Sequence, residues 1–208
     1  MNLRPMPRES DETTDILVIG GGHAGLCAAI TARQLGASVT LLEAGDRHMR
    51  GGNSRHTRNL RAMHPEPTAT LTGVYDRAEY WEDILRVTAG NTTEKLTRMV
   101  IDQSYGLMAW LTAQGVRFQP SLRGTLSLDR TNAFFLGGGC ALINALYRKA
   151  EQDDIKVRYG AEVAHIEFDN RRFSAAIDSN GRRYKADAAI LAWTSVSKSA
   201  AITSVASV

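Results

Sequence analysis

Runs of apolar residues separated by glycine divide the N-terminal part of the chain into a strand, a helix and a second strand. The run DILVI at 15–19 is short, rich in β-branched residues and followed by glycines, which predicts a buried parallel strand. Residues 26–35 carry apolar positions at helical spacing and end at Gly36, and the apolar residues 39–42 predict another strand that ends at Glu43. This order of elements predicts a βαβ unit.

The middle of the chain has a helical pattern, and short alternating segments follow it. Apolar residues at i, i+3 and i+4 spacing predict helices at 78–87, 94–114 and 139–152. The later segments predict strands at 156–159, 163–169, 173–178 and 187–192. We therefore expect an α/β fold, a Rossmann-like domain with a parallel sheet, a helical insertion and a small β segment.

Both ends of the chain differ in composition from the part between them. Residues 1–12 combine two prolines with mixed charge and no periodicity, so we expect a disordered lead-in before a domain at 13–193. In residues 194–208, thirteen of the fifteen residues are Ser, Ala, Thr or Val. We expect an atypical low-complexity tail, and its composition suggests a shifted reading frame.

Composition and charge narrow the class of protein. A chain of 208 residues with 43% hydrophobic residues fits one soluble domain with at most a modest appendage, and a net charge of +3 is too small to predict nucleic-acid binding. No apolar run has the length of a transmembrane segment or signal peptide, so a cytoplasmic location is expected. Cys27 and Cys140 lie in apolar helical patterns without metal-spaced partners, which predicts two core residues and no metal site.

One stretch of the chain concentrates positive charge. Residues 47–61 contain five arginines and two histidines and no acidic residue. The stretch is either an anion-binding site or a solvated basic loop.

A glycine fingerprint lies between the first predicted strand and the first predicted helix. The sequence GGGHAG at 20–25 satisfies G-x-G-x-x-G in the context that the motif requires. Gly20 permits the tight turn, Gly22 lets the backbone approach a pyrophosphate, and Gly25 lets helix and strand pack closely. The helix N-terminus supplies N–H groups and a positive dipole to phosphates. The pattern predicts a dinucleotide-binding site.

The residues after the fingerprint discriminate between dinucleotides. Glu43 ends the second strand, where a carboxylate can accept hydrogen bonds from both ribose hydroxyls and would repel a 2′-phosphate, which disfavours NADP and leaves NAD and FAD. A simple NAD domain continues with another βα unit, whereas RGGNSRHTRN at 50–59 is a glycine-hinged, basic and polar loop. Such a loop suits a cofactor with a second phosphate and a ribityl half, which favours FAD.

Longer stretches of the sequence resemble a known group of flavoproteins. DILVIGGGHAGLCAAITARQLGASVTLLEA followed by RGGNS is similar to the flavoprotein subunits of the fumarate reductase and succinate dehydrogenase superfamily. Within it, GGNSRHTRNLR, YWEDILRVTAG and RTNAFFLGGGCALINALYR resemble the tricarballylate dehydrogenases, FAD enzymes that oxidise tricarballylate to cis-aconitate. The resemblance runs from about Asp15 to Ala192.

The resemblance implies FAD as the cofactor and a set of residues that contact it. Gly20, Gly22 and Gly25 would face the pyrophosphate, and Glu43 with the adjacent Ala44 would face the adenosine ribose. The residues implied along the pyrophosphate, the ribityl chain and the isoalloxazine ring are Gly51, Gly52, Asn53 and Ser54. Val163 would contact adenine through its backbone, and Ala192 would lie near the flavin.

Two polar groups in the basic stretch allow alternative roles. His56 and Thr57 fall near the His-Thr pair that carries a covalent bond to flavin in membrane-bound relatives, and a non-covalent polar contact is the alternative. Arg55, Arg58 and Arg61 suit bidentate recognition of a carboxylate substrate, and a pyrophosphate or surface role is equally open.

The resemblance also implies a reaction and partners. Family members remove two hydrogens in trans from adjacent carbons of a small di- or tricarboxylate, one as a hydride to flavin and one as a proton to a base. The proton-handling arginine and several carboxylate ligands come from a capping domain and later segments, so we expect this chain to be truncated before that domain and assign it no catalytic residue. A membrane-associated iron-sulfur protein is the implied electron-transfer partner.

Three interpretations remain open at this point. The chain is the N-terminal, FAD-binding part of a tricarballylate dehydrogenase, or part of another fumarate reductase-like or cobalamin-pathway flavoprotein. A non-catalytic FAD-binding fragment is the third.

Overall fold

The computed structural model describes residues 12–121 and 128–193. The strands are β1 (Glu12–Ile19), β2 (Val39–Glu43), β3 (Asn59–Arg61), β4 (Asn132–Phe134), β5 (Lys156–Tyr159), β6 (Val163–Asp169), β7 (Arg172–Asp178) and β8 (Arg183–Leu191). The α-helices are α1 (His23–Gln34), α2 (Arg77–Thr88), α3 (Glu94–Ala113) and α4 (Gly138–Gln152), with short 3-10 helices at Gly52–His56 and Leu128–Arg130. The chain divides into two compact units, Met1–Ser54 with Tyr147–Val208, and Arg55–Leu146.

The first unit is built on a six-stranded sheet in the order β5-β2-β1-β8-β7-β6. The pairs β2/β5, β1/β2 and β1/β8 are parallel, whereas β7 pairs in antiparallel fashion with β6 and β8. In the inner strand β1, Leu17 and Val18 are fully buried although their side chains point to opposite faces, which is why this strand is a continuous apolar run. The predicted α/β fold is confirmed.

Helix α1 makes the crossover between the parallel strands β1 and β2, as the predicted βαβ unit requires. It begins at His23, three residues before the predicted start, because the second half of the glycine fingerprint already belongs to the helix. Leu26, Ala29 and Ile30 form its fully buried face. Gly36 follows the helix with a φ of 95°, a conformation that glycine adopts without strain.

Strand pairing extends the sheet beyond the predicted boundaries. Glu12, assigned from sequence to the lead-in, is instead the first residue of β1 and pairs with Tyr184. Its carboxylate accepts hydrogen bonds from Arg158 Nε at 2.8 Å and Nη2 at 2.9 Å. Strand β8 starts at Arg183 because its first residues pair with β7 as well as β1. The rest of the predicted lead-in and the tail at 194–208 lie outside the described residues.

The second unit contains α2, α3 and the antiparallel pair β3 and β4. The predicted helices are confirmed, with ends that differ by one residue. Asp76 is the N-cap of α2, and its side chain accepts a hydrogen bond from the backbone N–H of Glu79 at 2.9 Å. Tyr75, Tyr80 and Ile101 form a small buried core in this unit.

The structure corrects the prediction for one cysteine. Cys140 shares a helical face with Ile143 and Tyr147 by its spacing, but it lies in the first turn of α4 and is exposed. Cys27 is half-buried in α1, and burial raises the pKa of its thiol to about 12. The predicted core position is therefore wrong for Cys140.

Within the described ranges, none of the helices is long and apolar enough to cross a membrane. These same residues bring together no group of three or more His, Cys, Asp or Glu side chains that could hold a metal ion.

Candidate functional site

The glycine fingerprint forms a turn that packs without space for side chains. Gly20 follows β1 with a φ of 105°, and a Cβ placed on it would lie 2.7 Å from the carbonyl oxygen of Ala192. A Cβ on Gly25 would lie 1.9 Å from the carbonyl oxygen of Gly20, far inside contact distance. The close approach of helix and strand that the motif predicts is therefore present, and it depends on both glycines.

The second glycine stretch joins the first at the start of α1. The backbone N–H of His23 donates to the hydroxyl of Ser54 at 3.0 Å. The first hydrogen bond within the helix runs from Leu26 N to Gly22 O at 3.0 Å. The amides of Ala24 and Gly25 lie between these two and have no acceptor within the helix. This N-terminus offers two N–H groups and a positive dipole to an anion.

Glu43 is held in one orientation by donors from three parts of the chain. One carboxylate oxygen accepts from Gly45 N at 2.8 Å, and the other accepts from Gly51 N at 3.1 Å. The hydroxyl of Tyr147 lies 3.2 Å from the second oxygen. A carboxylate has about four lone-pair sites, so these contacts leave it able to accept from a further hydroxyl.

These groups surround one cavity of about 520 Å³ in the first unit. The residues predicted from sequence that line it are Gly20, Gly22, Glu43, Ala44, Gly51, Gly52, Asn53, Ser54, Val163 and Ala192. Gly25 is buried in α1 and does not line the cavity. His56 and Thr57 belong to the second unit, where the hydroxyl of Thr57 donates to the carbonyl oxygen of Asn59 at 3.1 Å.

His23 contributes an imidazole as well as a backbone amide to the cavity wall. Among the described residues, its buried Nε2 has no hydrogen-bond partner. Burial lowers the pKa of the imidazole below its ordinary value of 6.5, which favours the neutral ring at pH 7. The fingerprint motif leaves position 23 unspecified, so it contains no signal for this polar atom.

Gly21, Tyr147 and Arg50 contribute to the site or its support and were not predicted from the sequence. A Cβ on Gly21 would lie 2.1 Å from the Tyr147 hydroxyl and 2.5 Å from a Glu43 oxygen. Arg50 stacks on the ring of Tyr147 with its guanidinium carbon 4.3 Å from the ring centroid, and it donates to the hydroxyl of Tyr159 at 3.0 Å. A third consecutive glycine, where the motif requires two, was the signal for the packing at Gly21; the pattern contains no comparable signal for Tyr147.

Several arginines of the basic stretch at 47–61 contact residues of their own unit. Arg47 forms an ion pair with Glu151 at 3.0 Å, and Arg61 forms one with Asp83 at 3.1 Å. Arg50 is stacked on an aromatic ring, as described above. The earlier alternative of an anion site or a solvated loop is therefore incomplete for these three arginines, because each stabilises its own unit.

The donors and acceptors of this cavity fit a dinucleotide. The N-terminus of α1 presents amides for phosphate oxygens, and Glu43 presents a carboxylate for hydroxyl groups. The glycine backbone between them leaves space where side chains would otherwise project. The residues that meet here come from segments far apart in the chain.

The chain is similar to proteins of a known family. Residues 15–206 match the profile of the family described as FAD binding domain. The chain is 29% identical over 159 residues to a probable fumarate reductase of Shewanella frigidimarina, covering 74% of this chain and 27% of that protein. It is 34% identical over 118 residues to a vinyl phenol reductase of Lactiplantibacillus plantarum, covering 52% and 22%. The chain thus spans about a quarter of the length of these relatives.

Solved structures show the same fold. The open conformation of a flavocytochrome c3 fumarate reductase matches with a TM-score of 0.72 and 25% identity over 86% of this chain and 33% of that one. A 3-ketosteroid-Δ4-(5α)-dehydrogenase from Rhodococcus jostii matches with a TM-score of 0.75 and 18% identity, over 89% of this chain and 46% of that one.

Proposed function

The chain belongs to the FAD binding domain family, whose cofactor is FAD, and from this premise we propose that it is the flavin-binding part of an oxidoreductase that acts on a carbon–carbon bond of a small carboxylate. The cavity in which the α1 N-terminus, Glu43 and the loop 51–54 meet is the observation that carries the proposal. Its polar groups are of the kinds that bind the phosphates and the ribose of a dinucleotide.

The binding roles follow from the positions of the donors and acceptors. The amide of Ala24 and the positive end of the α1 dipole hold phosphate oxygens, and Glu43 accepts from the hydroxyls of the adenosine ribose. The remaining cavity residues that we propose as contacts are Gly20, Gly22, Ala44, Gly51, Gly52, Asn53, Ser54, Val163 and Ala192. When bound, FAD supplies a two-electron acceptor, and this chain contributes its binding and orientation.

We propose tricarballylate as the substrate of the whole enzyme and its oxidation to cis-aconitate as the reaction. The support is the similarity of GGNSRHTRNLR and RTNAFFLGGGCALINALYR to tricarballylate dehydrogenases. A membrane-associated iron-sulfur protein is the proposed electron partner, on the same support, with a cytoplasmic location. The carboxylate ligands and the proton-handling group of such an enzyme lie outside the segment that this chain matches.

The names of the relatives favour a second candidate, the reverse reaction on an unsaturated substrate. The two relatives described above are named as a fumarate reductase and a vinyl phenol reductase. An enzyme of this kind adds two hydrogens to an activated double bond. Both candidates need the same FAD site, and they differ in the direction of electron flow.

Cofactor binding is tested by titrating the purified chain with FAD and recording the flavin spectrum. We expect binding by the wild-type chain and a loss of about tenfold or more in Glu43→Gln, because a neutral amide accepts hydroxyl hydrogen bonds less strongly than a carboxylate. Gly106→Ala, an exposed helix position in the second unit, is the control and is expected to bind FAD as the wild type does. A folded wild-type chain that binds NAD but not FAD would refute the proposal.

The substrate is tested with the FAD-loaded chain and with the full-length enzyme. Bleaching of the flavin by tricarballylate supports the first candidate, and reoxidation of the reduced flavin by fumarate supports the second. Bound FAD that responds to no di- or tricarboxylate even in the full-length enzyme indicates a non-catalytic FAD-binding protein. Acid precipitation decides the role of His56, since a covalent flavin stays with the precipitated protein.

A further inference from the structure

The hydroxyl of Tyr147 touches two parts of the cavity at once. It lies 3.0 Å from the carbonyl oxygen of Gly21, in the glycine turn, and 3.2 Å from a carboxylate oxygen of Glu43, at the end of β2. The hydroxyl has one proton, and both acceptors are within hydrogen-bond distance of it. When the two acceptors share that proton in a three-centre hydrogen bond, the hydroxyl links the turn to the carboxylate.

The surroundings of Tyr147 keep this hydroxyl in place. The side chain is fully buried, and burial is the main reason that its pKa is raised, so the hydroxyl stays protonated and remains a donor. Arg50 stacks on one face of the ring, and the ring of Tyr159 lies 5.9 Å away between centroids. A rigid ring with a permanent donor is suited to orient a carboxylate.

Glu43 needs such an orienting group because its free lone pairs have to meet a ligand. Two backbone amides hold it from the loop that follows β2, and Tyr147 holds it from α4. Without the hydroxyl, the second oxygen keeps one described donor, the N–H of Gly51. The carboxylate could then rotate or take up water in place of the hydroxyl.

We propose that Tyr147 is a positioning residue for the dinucleotide. Its hydroxyl holds the Glu43 carboxylate and the Gly21 carbonyl in the geometry that receives the adenosine ribose. The inference rests on the proposed FAD site. It assigns to a residue of α4, which does not itself line the cavity, a role in recognising the ribose hydroxyls.

The test compares two ligands that differ only in those hydroxyls, ADP and 2′,3′-dideoxy-ADP. We expect the wild-type chain to prefer ADP by about tenfold. In Tyr147→Phe, which keeps the ring and the stacking of Arg50, the preference is expected to fall by about fivefold, in line with one lost hydrogen bond. A merely structural role would weaken both ligands equally and leave their ratio unchanged.

A second tyrosine provides a matched control. Tyr184 is buried, and its hydroxyl lies 3.2 Å from a carboxylate oxygen of Asp178, but neither residue lines the cavity. Tyr184→Phe should therefore cost comparable stability without changing the ligand ratio. Glu43→Gln gives the ratio expected when the ribose acceptor is weakened.

The outcomes separate this inference from the proposed function. A folded wild-type chain that binds neither FAD nor ADP overturns both. Binding of FAD with the same ADP preference in Tyr147→Phe and wild type overturns the inference alone. Where Tyr147→Phe does not fold, Tyr147 is replaced by 3-fluorotyrosine, a stronger donor; an increased preference for ADP supports the inference, and an unchanged one overturns it.

Discussion

Replacing Gly25 by alanine tests whether the contact between α1 and the glycine turn limits the stability of the first unit. The new Cβ would lie 1.9 Å from the carbonyl oxygen of Gly20 and 3.3 Å from the Cβ of Ala192. The nearest atom belongs to the backbone, so no side-chain rotation can relieve the overlap. The start of α1 would have to move away from the end of β1.

The size of the effect follows from the overlap. Ordinary contact begins at 3.4 Å, so the two atoms have to separate by 1.5 Å, the difference between 3.4 and 1.9 Å. Overpacking of this kind costs about 1–3 kcal/mol, and alanine returns at most about 1 kcal/mol through its helix propensity. We expect Gly25→Ala to lower the free energy of unfolding by about 2 kcal/mol.

The same substitution at Gly106 is the control. Gly106 lies inside α3, and a Cβ there would meet no described atom within 4 Å beyond its own helix turns. Gly106→Ala should raise the free energy of unfolding by about 0.5–1 kcal/mol, because alanine loses less backbone entropy in a helix. Urea unfolding of the FAD-free chain, followed by circular dichroism, measures both variants. Equal stabilisation by the two substitutions would refute the expected overlap between the new Cβ and the Gly20 carbonyl. Gly25→Ala should also weaken FAD binding.

Three further predictions concern the first unit and the two thiols of the chain. Gly21→Ala should destabilise the chain, because the atom nearest to the new Cβ, 2.1 Å away, is the Tyr147 hydroxyl oxygen. Adding Tyr147→Phe removes that atom and should recover part of the lost stability, as measured by urea unfolding. A double variant that is less stable than both single variants contradicts this prediction. Burial lowers the pKa of His23, so below its ordinary value of 6.5 the unfolded chain binds a proton that the folded chain binds less readily. The free energy of unfolding should therefore fall as the pH falls below 6.5, and this pH dependence should be weaker in His23→Gln. An equal pH dependence in the variant and the wild type would contradict the assignment to His23. A thiol reagent at neutral pH should modify the exposed Cys140 rapidly and Cys27 only on unfolding, because burial raises the pKa of the Cys27 thiol to about 12. Peptide mapping identifies the modified cysteine. Modification of Cys27 before Cys140 would contradict the prediction.

Local patterns were sufficient to predict the framework of the site. The run DILVI, the glycines after it and the helical spacing of residues 26–35 each report on a few neighbouring residues. Glycine conformations and apolar periodicity are properties of short segments, so the βαβ unit and its turn were predicted correctly. The exact ends of β1, α1 and β8 differed from the predicted ones, because capping and strand pairing depend on residues elsewhere.

Other predictions failed or were incomplete for a common reason. Helical spacing placed Cys140 on a buried face, but spacing does not say where along a helix the packing ends. The charge pattern of 47–61 left open an anion site or a solvated loop, but it contained no information on Glu151 or Asp83, with which two of its arginines pair. Neighbours in space decided each outcome.

The sequence by itself determined the class of cofactor and the segments that line the cavity, since the fingerprint, Glu43 and the loop 51–54 each carry a local chemical requirement. Only the tertiary structure decided how the carboxylate of Glu43 is held. Its contact with Tyr147 joins residues separated by 104 positions in the chain. No local pattern encodes such a contact, because it arises when α4 and the sheet pack together.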